Sequence, residues 1–502
     1  MISLILDPSI SYPDGEEFFS PDERFPEYPF EHISSRKNPV YKAVRDCFAQ
    51  AGLDDEHYGM REWNPLGGYV APGNKVFVLC NFAGERRPDE KVDNFLSRCT
   101  NGAVIRAVID YLLIAAGKEG RVTFGNAPVQ YTQWEEVLAD TGANKVRDFY
   151  EAQGSPVEAS DLRLMVTNAT QLGFITSVER RDEDRGVHVH LDNDSLMTEL
   201  DLKPVHRYRV INYDPKRTDS FHSVGNHEYV IGRKILESDV IFSIPKLKTH
   251  EKVGISCAMK GFVGTVGHKD SLPHHRYGSP KMGGDEYPDG QMGIQPLASA
   301  YHEWVYQLAP ETGAGKVLHA SSRILKKLIR KWNPQIEGAW WGNDTAWRMV
   351  LDLVRIATYC DAEGRVHSAP FRKHLALVDG VLGGEGKGPA YPTAVHAGVL
   401  MFGDNLAVVD TMCALIMGFN PDHIPMVWQA RHLSNHPLFS DELHEQKVIV
   451  NGKSSSVEEI RKAPPYHFKP NEGWREVILS GEGFQVPEQE EQSVDSPESI
   501  EI

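Results

Sequence analysis

The spacing of apolar residues predicts alternating strands and helices in the first third of the chain. A short apolar run over residues 75–80 indicates a buried strand, and segment 100–117 places its apolar residues on one helical face. A second strand is predicted at 121–124, and Thr132 with Glu135 predicts a capping box that opens a helix. This order is typical of a parallel sheet. We therefore expect an α/β fold of mixed, largely parallel sheets flanked by helices, in two lobes with a ligand crevice between them.

A further strand is predicted at residues 240–244, directly before Pro245. Proline cannot donate a hydrogen bond to a sheet, so we expect the strand to end there. Lys246, Lys248 and His250 would then lie in a loop at the carboxyl end of the strand, which is the edge where open α/β sheets bind ligands.

Two later strands also lead into polar segments. The apolar run that starts at Leu375 precedes a glycine-rich stretch, residues 380–388, which we interpret as a loop whose backbone amides could hold an anion; a plain turn is the alternative. The stretch lacks the spacing of a Walker phosphate-binding loop. The other strand leads to Asp404. We expect four polar groups to meet at one sheet edge: Asn126, Lys246 to His250, Asp379 with Glu385 and Lys387, and Asp404.

Charge and composition narrow the function classes. The 502 residues include 70 acidic and 53 basic side chains, a net charge of -17, which argues against nucleic acid as the main partner. No apolar run is long enough to predict a membrane span or an export signal. The six cysteines are scattered without a Cys-x-x-Cys pair, so we expect reduced thiols in a cytoplasmic protein. Five lysines lie between Lys246 and Lys269, and in an acidic chain they predict a small anionic ligand.

The predicted site divides into catalytic and ligand-binding groups. A histidine beside lysines can donate or accept a proton near neutral pH, and a lysine held among cations loses its proton more easily. We assign catalysis to His250, Lys248, Lys260 and Asp379. The predicted ligand-binding residues are Lys246, Asn126, Glu385, Lys387, Asp404 and Trp341.

Two further residue groups leave alternatives open. Four of the nine tryptophans lie between residues 332 and 347; they either pack in the core or leave an indole such as that of Trp341 to stack on a sugar or a base. His188 and His190 share one side of a predicted strand, but no third ligand accompanies them, so we predict no metal site.

The domain organisation follows from changes in composition along the chain. Residues 1–72 are rich in proline, aromatic and acidic residues and predict an N-terminal arm with one helix at 39–52. An α/β domain is expected at 73–424, with an internal break near 235 or 370 if it has two lobes, followed by a C-terminal extension at 425–485. The acidic segment 486–502 has too few apolar residues to fold and is predicted to be disordered.

Several segments together resemble the domain-of-unknown-function family 362. The resemblance runs from Lys75 to about Ile424, and segment 340–348 looks like a mark of its longer members. Some relatives carry a ferredoxin-like cysteine module that this chain lacks, so no iron-sulfur cluster is expected. The family name implies no activity. The segments that carry the resemblance are 101–112, 238–250, 258–264, 378–380, 385–389 and 403–410.

A more distant similarity is to the lactate racemase family, which attaches a nickel-pincer nucleotide to a lysine. His250 and Lys260 have the spacing of that family's histidine and lysine, but this chain has additional lysines at Lys246 and Lys248. The similarity implies a racemase-like or isomerase-like enzyme and raises a nickel-pincer nucleotide as a cofactor.

From these patterns we expect an enzyme that acts on a small anionic metabolite or an activated sugar by lysine and histidine acid–base chemistry, either isomerase-like or transferase-like. The first alternative is a non-catalytic assembly factor that binds a ligand or a glycan. The second is a redox protein, which the absence of paired cysteines disfavours. The sequence predicts no particular oligomeric state.

Overall fold

The computed structural model describes residues 1–479, except 170–174, 205, 212, 291–293, 309–311, 334 and 440–442. The predicted acidic tail, 486–502, lies outside the described residues. Eighteen strands are assigned within the described part of the chain: β1 Ile2–Leu6, β2 Lys75–Cys80, β3 Arg121–Asn126, β4 Val157–Asp161, β5 Met165–Ala169, β6 Ile175–Arg180, β7 Gly186–His190, β8 Tyr208–Arg209, β9 His222–Ser223, β10 Asn226–Gly232, β11 Val240–Ile244, β12 Lys246–His250, β13 Gly254–Ile255, β14 His275–Arg276, β15 Lys373–Lys387, β16 Tyr391–Gly403, β17 Val448–Val450 and β18 Lys453–Ser455.

The helices include those predicted near residues 39–52 and 100–117. The helix predicted after Thr132 also forms, but without the capping box, because Thr132 Oγ1 is buried and has no partner. The α-helices of the described residues are α1 Pro39–Gln50, α2 Val92–Leu96, α3 Gly102–Ala116, α4 Trp134–Thr141, α5 Ala143–Ala152, α6 Pro215–Phe221, α7 Arg233–Leu236, α8 Ala258–Gly261, α9 Ile294–Tyr306, α10 Gly313–Trp332, α11 Ala346–Tyr359, α12 Leu406–Ile416, α13 Pro425–Ala430, α14 Val457–Lys462 and α15 Arg475–Ile478.

A large mixed sheet forms the centre of the fold. Its strand order is β18-β17-β1-β16-β15-β11-β2-β3-β4, and the run from β15 to β4 is entirely parallel. Strand β16 is antiparallel to β15, and β1 is antiparallel to β16. The expectation of a largely parallel sheet flanked by helices is therefore confirmed, and β1 shows that segment 1–72 contributes a strand to the central sheet.

Helices cover both faces of the sheet because its strands are apolar on both sides. Along β2, Val76 and Val78 belong to one hydrophobic cluster, and Phe77 and Leu79 belong to another, as the alternation of side chains along a strand requires. Helices α1, α3, α4 and α5 pack in the first cluster, and α11, α12 and α13 pack in the second. This layering explains the near-continuous apolar runs of the parallel strands. A two-lobe arrangement is not confirmed.

The loop predicted after Pro245 is wrong. The chain continues as β12, and β11 and β12 lie end to end along the same edge of the long strand β15. Pro245 lies between the two strands, and the pairing register against β15 is the same at Ser243 and at Lys246. The Pro245 carbonyl oxygen accepts a hydrogen bond of 2.8 Å from Asp379 N, so this residue stays in the ladder although proline has no N–H to donate.

The predicted glycine loop at 380–388 is also wrong, because residues 373–387 form one continuous strand. The glycines allow close packing instead of a turn. A Cβ at Gly383 would lie 2.6 Å from the Phe468 ring, and one at Gly384 would lie 2.9 Å from Ser97 O. Because glycine has no side chain, Phe468 and Ser97 can pack directly against the backbone of β15.

Candidate functional site

Strand β12 carries the first three polar residues of the site. All five of its residues are buried. Lys246 lies opposite Asp379 in the parallel pair with β15, and its Nζ is 3.1 Å from Asp379 Oδ1. Tyr12 Oη donates a short hydrogen bond to the same carboxylate, and Asn101 N donates another at 3.1 Å. Asp379 is therefore fully satisfied by protein groups.

Lys248 and His250 lie further along β12 and have no carboxylate partner among the described residues. Lys248 Nζ donates a hydrogen bond of 2.7 Å to Arg98 O. His250 Nδ1 accepts a hydrogen bond of 3.1 Å from Lys252 N, so the neutral ring carries its proton on Nε2. In that form His250 is a hydrogen-bond donor to whatever lies beside Nε2.

A short hairpin and a buried cap position Lys260. β12 pairs with β13, and the chain then enters α8, which contains Lys260. Asp410 on α12 accepts hydrogen bonds from the first two amides of α8, Ala258 N at 2.5 Å and Met259 N at 3.1 Å. This carboxylate supplies the N-terminal cap that α8 lacks locally. Asp410 therefore helps to fix the position of α8, the helix that contains Lys260.

Lys260 differs from the other lysines of the segment in having no partner. No hydrogen bond or ion pair joins its Nζ to any described residue. By contrast, Lys269 Nζ donates to Ala127 O at 2.7 Å, and Lys252 Nζ donates a short hydrogen bond to Glu337 O. A partly buried amine without a protein partner keeps its N–H donors available to a group outside the chain.

The charges of these residues act on one another. Burial lowers the pKa of His250 well below its ordinary value, and the charges of Lys260, Lys248 and Lys252 lower it further. Burial also lowers the pKa of Lys260 to about 8 and that of Lys269 to about 7. For Lys248 the pKa falls to about 7, chiefly through burial, with Arg98 and Lys260 adding to the effect.

Five basic side chains of this region are desolvated together. Lys260 and His274 keep part of their surface accessible, yet burial is the largest cause of the lowered pKa of each, which for His274 falls to about 3. Lys248, His250 and Lys269 are buried. His274 senses the charges of Lys252, Lys260 and Lys269. We call Lys248, His250, Lys260, Lys269 and His274 the cationic recess.

Asn126 packs against Gly264, in the segment that follows α8, and its role in ligand binding stays a prediction. It ends β3, and a Cβ at Gly264 would lie 3.1 Å from its Cβ. Asn126 Nδ2 donates to Phe82 O at 3.2 Å, whereas Oδ1 is buried without a partner. The orphaned amide oxygen adds an acceptor to a region that is otherwise rich in donors.

The structure does not bring together the remaining predicted residues. Glu385 accepts a hydrogen bond of 2.8 Å from Lys469 N, and Lys387 is exposed at the end of β15. Asp404 lies at the opposite end of β15 from Lys387, because β16 is antiparallel, and accepts a hydrogen bond of 3.0 Å from Tyr69 Oη. Trp341 is 37 % exposed and lines a separate cavity.

The core interpretation holds for two of the tryptophans. Trp340 and Trp347 are buried, each 6 % exposed, whereas Trp341 is 37 % exposed. Stacking of Trp341 on a ligand stays a prediction.

The sequence patterns did not single out Asp410, His274 or Lys269. A signal for Asp410 was present, because it is the one charged residue in an otherwise apolar helix, 406–416, and a buried carboxylate needs partners. Burial raises the pKa of Asp410 to about 7, partly offset by the two amides of α8. His274 and Lys269 could be identified only from the folded chain.

One group of metal-ligating residue types occurs within the described residues: Cys257, Asp410 and Cys413, all buried, with ligand atoms within 4.8 Å of one another. The capping of α8 accounts for both carboxylate oxygens, and burial raises the pKa of Cys413. His188 and His190 flank Glu228 on an exposed strand face, with His190 Nδ1 4.0 Å from Glu228 Oε2. The absence of a metal site stays a prediction.

Comparison with known proteins gives one match. Residues 183–415 match the family model of DUF362, a domain of unknown function. The matched segment is a little under half of the chain. It contains β12, α8 and the long β15–β16 hairpin, and therefore all five residues of the cationic recess. Asn126, Arg98 and Tyr12 contact the site from outside the DUF362 match. Neither a curated protein nor a solved structure matches the chain, so the likeness to lactate racemases gains no support from these comparisons.

Among the described residues, no helix is both long and apolar enough to cross a membrane.

Proposed function

We propose that this protein is an enzyme that acts on a small anionic metabolite or an activated sugar by lysine and histidine acid–base chemistry. The observation that carries the proposal is the unpartnered amine of Lys260 among buried cations. Such a lysine is a stronger candidate for base chemistry than a solvated one, because a larger fraction of it is neutral near pH 7.

The other recess residues have complementary roles. Lys248 and Lys269 each donate to a backbone carbonyl, which orients the ammonium group and leaves further N–H donors for a carboxylate or phosphate. His250 is neutral and protonated on Nε2, so it acts as a hydrogen-bond donor to oxygen rather than as a strong base. A neutral histidine can polarise a carbonyl in this way.

These roles support proton abstraction next to a carbonyl or carboxylate. Neutral Lys260 Nζ takes the proton from carbon, and the C–H electron pair moves toward the carbonyl, whose oxygen gains negative charge. His250 and Lys248 stabilise that charge by donating hydrogen bonds. Return of the proton to the same or the opposite face of the carbon gives exchange, isomerisation or racemisation. An isomerase-like reaction is therefore our first choice over a transferase-like one.

A nickel-pincer nucleotide does not fit these residues. The cationic recess suits the phosphate of a nucleotide, but its lysines and histidines have no carboxylate ion pair among the described residues, and further positive charge there would be repelled. We derive no step through such a group.

The proposal is tested in two stages. Native mass spectrometry of freshly purified protein identifies any retained ligand. Proton NMR in D₂O then follows a panel of hydroxy acids, sugar phosphates and nucleotide sugars for loss of a carbon-bound proton signal. We expect exchange with the wild type, none with Lys260→Met, and normal exchange with the control Lys118→Met, which changes an exposed lysine.

A conservative variant separates catalysis from binding. Lys260→Arg keeps the positive charge but cannot become neutral, so it should bind the anion and lose exchange. If a retained ligand binds tightly but is neither exchanged nor converted by the wild type, the non-catalytic binding factor becomes the correct interpretation.

A further inference from the structure

Two exposed tyrosines lie at the carboxyl edge of the central sheet, on segments that border the cationic recess. Tyr131 follows β3 and is 48 % exposed, and Tyr391 begins β16 and is 61 % exposed. The chemistry proposed for the recess uses neither of them. An accessible aromatic ring beside a charged site offers apolar contact area to a ligand that is bound there.

The tight turn that leads into Tyr391 packs beside the end of β12. Gly388 O in this turn accepts a hydrogen bond of 3.0 Å from Glu251 N, the first residue after β12. Arg87 Nη1 donates one of 2.9 Å to Ala390 O, and the Arg87 guanidinium carbon lies 4.1 Å from the centre of the Tyr391 ring. A guanidinium at this distance is attracted to the face of the ring. Arg87 therefore covers one face, and the exposed part of Tyr391 is left for a ligand.

A short series of contacts joins Arg87 to a lysine of the recess. Arg87 and Arg98 both pair with Glu90, at 2.6 Å and 2.9 Å, and the Glu90 side chain is buried. Arg98 O in turn accepts the hydrogen bond of 2.7 Å from Lys248 Nζ. A buried carboxylate that is shared by two guanidiniums resists reorientation. The Tyr391 ring and the Lys248 amine are thus fixed relative to each other.

The loop that carries Tyr131 begins at another lysine of the recess. Lys269 Nζ donates a hydrogen bond of 2.7 Å to Ala127 O, four residues before Tyr131. Buried Arg163 then donates hydrogen bonds to three carbonyls of segment 129–132, at distances between 2.7 Å and 3.2 Å. A loop held in this way loses little conformational entropy when a ligand binds.

The two tyrosines lie near each other. The surrounding chain excludes water from the Tyr131 hydroxyl and raises its pKa, although about half of the side chain stays exposed, and the Tyr391 hydroxyl raises that pKa further. A charge has this effect only at short range. One ring therefore comes from the β3 side of the sheet edge and the other from the β15–β16 hairpin, and each is anchored to a different lysine of the recess.

These features together fit a ligand with a flat ring at one end and several negative charges at the other. Lys248 and Lys269 form no carboxylate ion pair within the described residues, and each keeps N–H donors beyond the one used on a carbonyl. A small carboxylate would use part of that charge and none of the aromatic surface. A nucleoside diphosphate uses both, because its base stacks on aromatic side chains and its two phosphates accept hydrogen bonds from lysines.

We propose that the cationic recess binds a nucleoside diphosphate, with the base stacked on the exposed rings of Tyr131 and Tyr391 and the phosphates bonded to Lys248 and Lys269. The inference rests on the anion binding in the proposed function and deepens it. The substrate class becomes the activated sugar, carried on a nucleoside diphosphate, rather than a free hydroxy acid. Lys260 is left to act on the group attached to the second phosphate.

Isothermal titration calorimetry tests the inference with UDP, CDP, ADP and GDP, and with methyl diphosphate as a probe that has the charged group but no base. We expect at least one nucleoside diphosphate to bind about tenfold or more tightly than methyl diphosphate. Tyr131→Ala and Tyr391→Ala should each weaken its binding at least about fivefold, the low end of what stacking on an aromatic side chain contributes, and leave methyl diphosphate unaffected. Tyr131→Phe and Tyr391→Phe keep the rings and should keep the affinity.

The matched control is Phe371→Ala. Phe371 is 51 % exposed and lies against a guanidinium, that of Arg372, as Tyr391 lies against Arg87. It precedes β15 at the opposite edge of the sheet, so its loss should change neither affinity. Thermal melts check that each variant is folded, and Tyr391→Ala keeps the test valid if Tyr131→Ala is not.

The possible failures are distinguishable. The nucleotide inference is overturned if no nucleoside diphosphate binds more tightly than methyl diphosphate, if both alanine variants keep the nucleotide affinity, or if Lys248→Met/Lys269→Met binds the nucleotide as well as the wild type. Binding of methyl diphosphate alone would leave the proposed function standing without the base. Tyrosine-dependent nucleotide binding without proton exchange in D₂O would support the inference and contradict the proposed acid–base chemistry instead.

Discussion

Lys246 Nζ and Asp379 Oδ1 lie 3.1 Å apart in the interior of the protein, and neither side chain is exposed to solvent. Tyr12, from the N-terminal segment, bonds to both residues: its hydroxyl donates to Asp379 and accepts from Lys246 at 2.8 Å. Since every partner in this group belongs to the chain, we assign Lys246 and Asp379 to stability rather than to the chemistry first predicted for them.

Lys246→Met should lower the free energy of unfolding by about 3–5 kcal/mol, because it leaves the Asp379 charge buried without its partner. Urea denaturation followed by circular dichroism measures the change, with Lys118→Met as the exposed control. Replacing both partners, as in Lys246→Met with Asp379→Leu, should recover much of the loss. A single-variant loss below about 1 kcal/mol would show that the pair stabilises little.

Lys260→Met should behave in the opposite way. Its amine has no partner to lose, and it lies beside other cations, so removing it in the absence of ligand should leave the free energy of unfolding unchanged or raise it. Side chains placed for function at a cost in stability commonly show this trade-off. The same urea titration measures it. Destabilisation of more than about 2 kcal/mol would indicate a structural partner for Lys260.

The recess lysines should make ligand-free stability depend on pH. Each has a folded-state pKa below its ordinary value, about 7 for Lys248 and Lys269 and about 8 for Lys260. Above these values the unfolded chain binds more protons than the folded one, so stability rises with pH until the unfolded lysines also lose their protons. The rise should begin near pH 7 and reach up to about 1.4 kcal/mol per pH unit for each lysine.

Denaturation between pH 7 and pH 9.5 measures this slope, and Lys260→Met should reduce it above pH 8. Asp410 has the opposite effect on stability, because its pKa in the folded protein is raised to about 7. Below pH 7 the folded chain keeps a proton that the unfolded chain has lost, so this residue lowers stability as pH rises toward 7. A slope that is flat or negative from pH 8 upward would contradict the desolvation of the recess lysines.

Anion binding should stabilise the protein and take up protons. A ligand at about 100 times its dissociation constant adds roughly 2.7 kcal/mol, which thermal-shift assays with phosphate, pyrophosphate and sugar phosphates can detect. Because a bound anion favours the charged lysines, calorimetry at pH 8 in buffers of different ionisation enthalpy should show net proton uptake. The double variant Lys248→Met/Lys260→Met should lose both effects, and unchanged binding would exclude the recess.

Asp410→Ala should cost about 1–3 kcal/mol, because two buried amides at the start of α8 lose their acceptor. Asp410→Asn keeps one acceptor oxygen and should cost less. If the cap positions Lys260, both variants should also weaken anion binding while remaining folded in thermal melts. Full anion affinity in Asp410→Ala would show that α8 is positioned by other contacts.

Local patterns were sufficient for elements whose apolar spacing is unambiguous. Strands 75–80 and 240–244 and the helix near 100–117 form as predicted, because each buries a continuous apolar run or face. These features depend on neighbours in sequence or on a general rule of sheet topology.

The predictions that are wrong concern segments whose structure depends on pairing with distant parts of the chain. Pro245 and the glycines after Asp379 resemble loop signals, but the long partner strand β15 keeps both segments in the sheet. The antiparallel direction of β16 moves Asp404 away from the recess, and nothing in its own sequence encodes that direction. The burial of Lys248 likewise results from tertiary packing, which the sequence of its own segment does not encode.

Strand β1 has implications for how the chain is made. Both sheet neighbours of Ile2–Leu6 come from late in the sequence, residues 399–403 on one side and 448–450 on the other. During synthesis this apolar strand must therefore wait for more than three-quarters of the protein to leave the ribosome before either edge is paired. Until then its free backbone groups can bind other strands, and such long-range closure slows folding. In a nascent chain with this topology, the apolar β1 segment stays exposed and can be bound by chaperones that recognise short apolar segments.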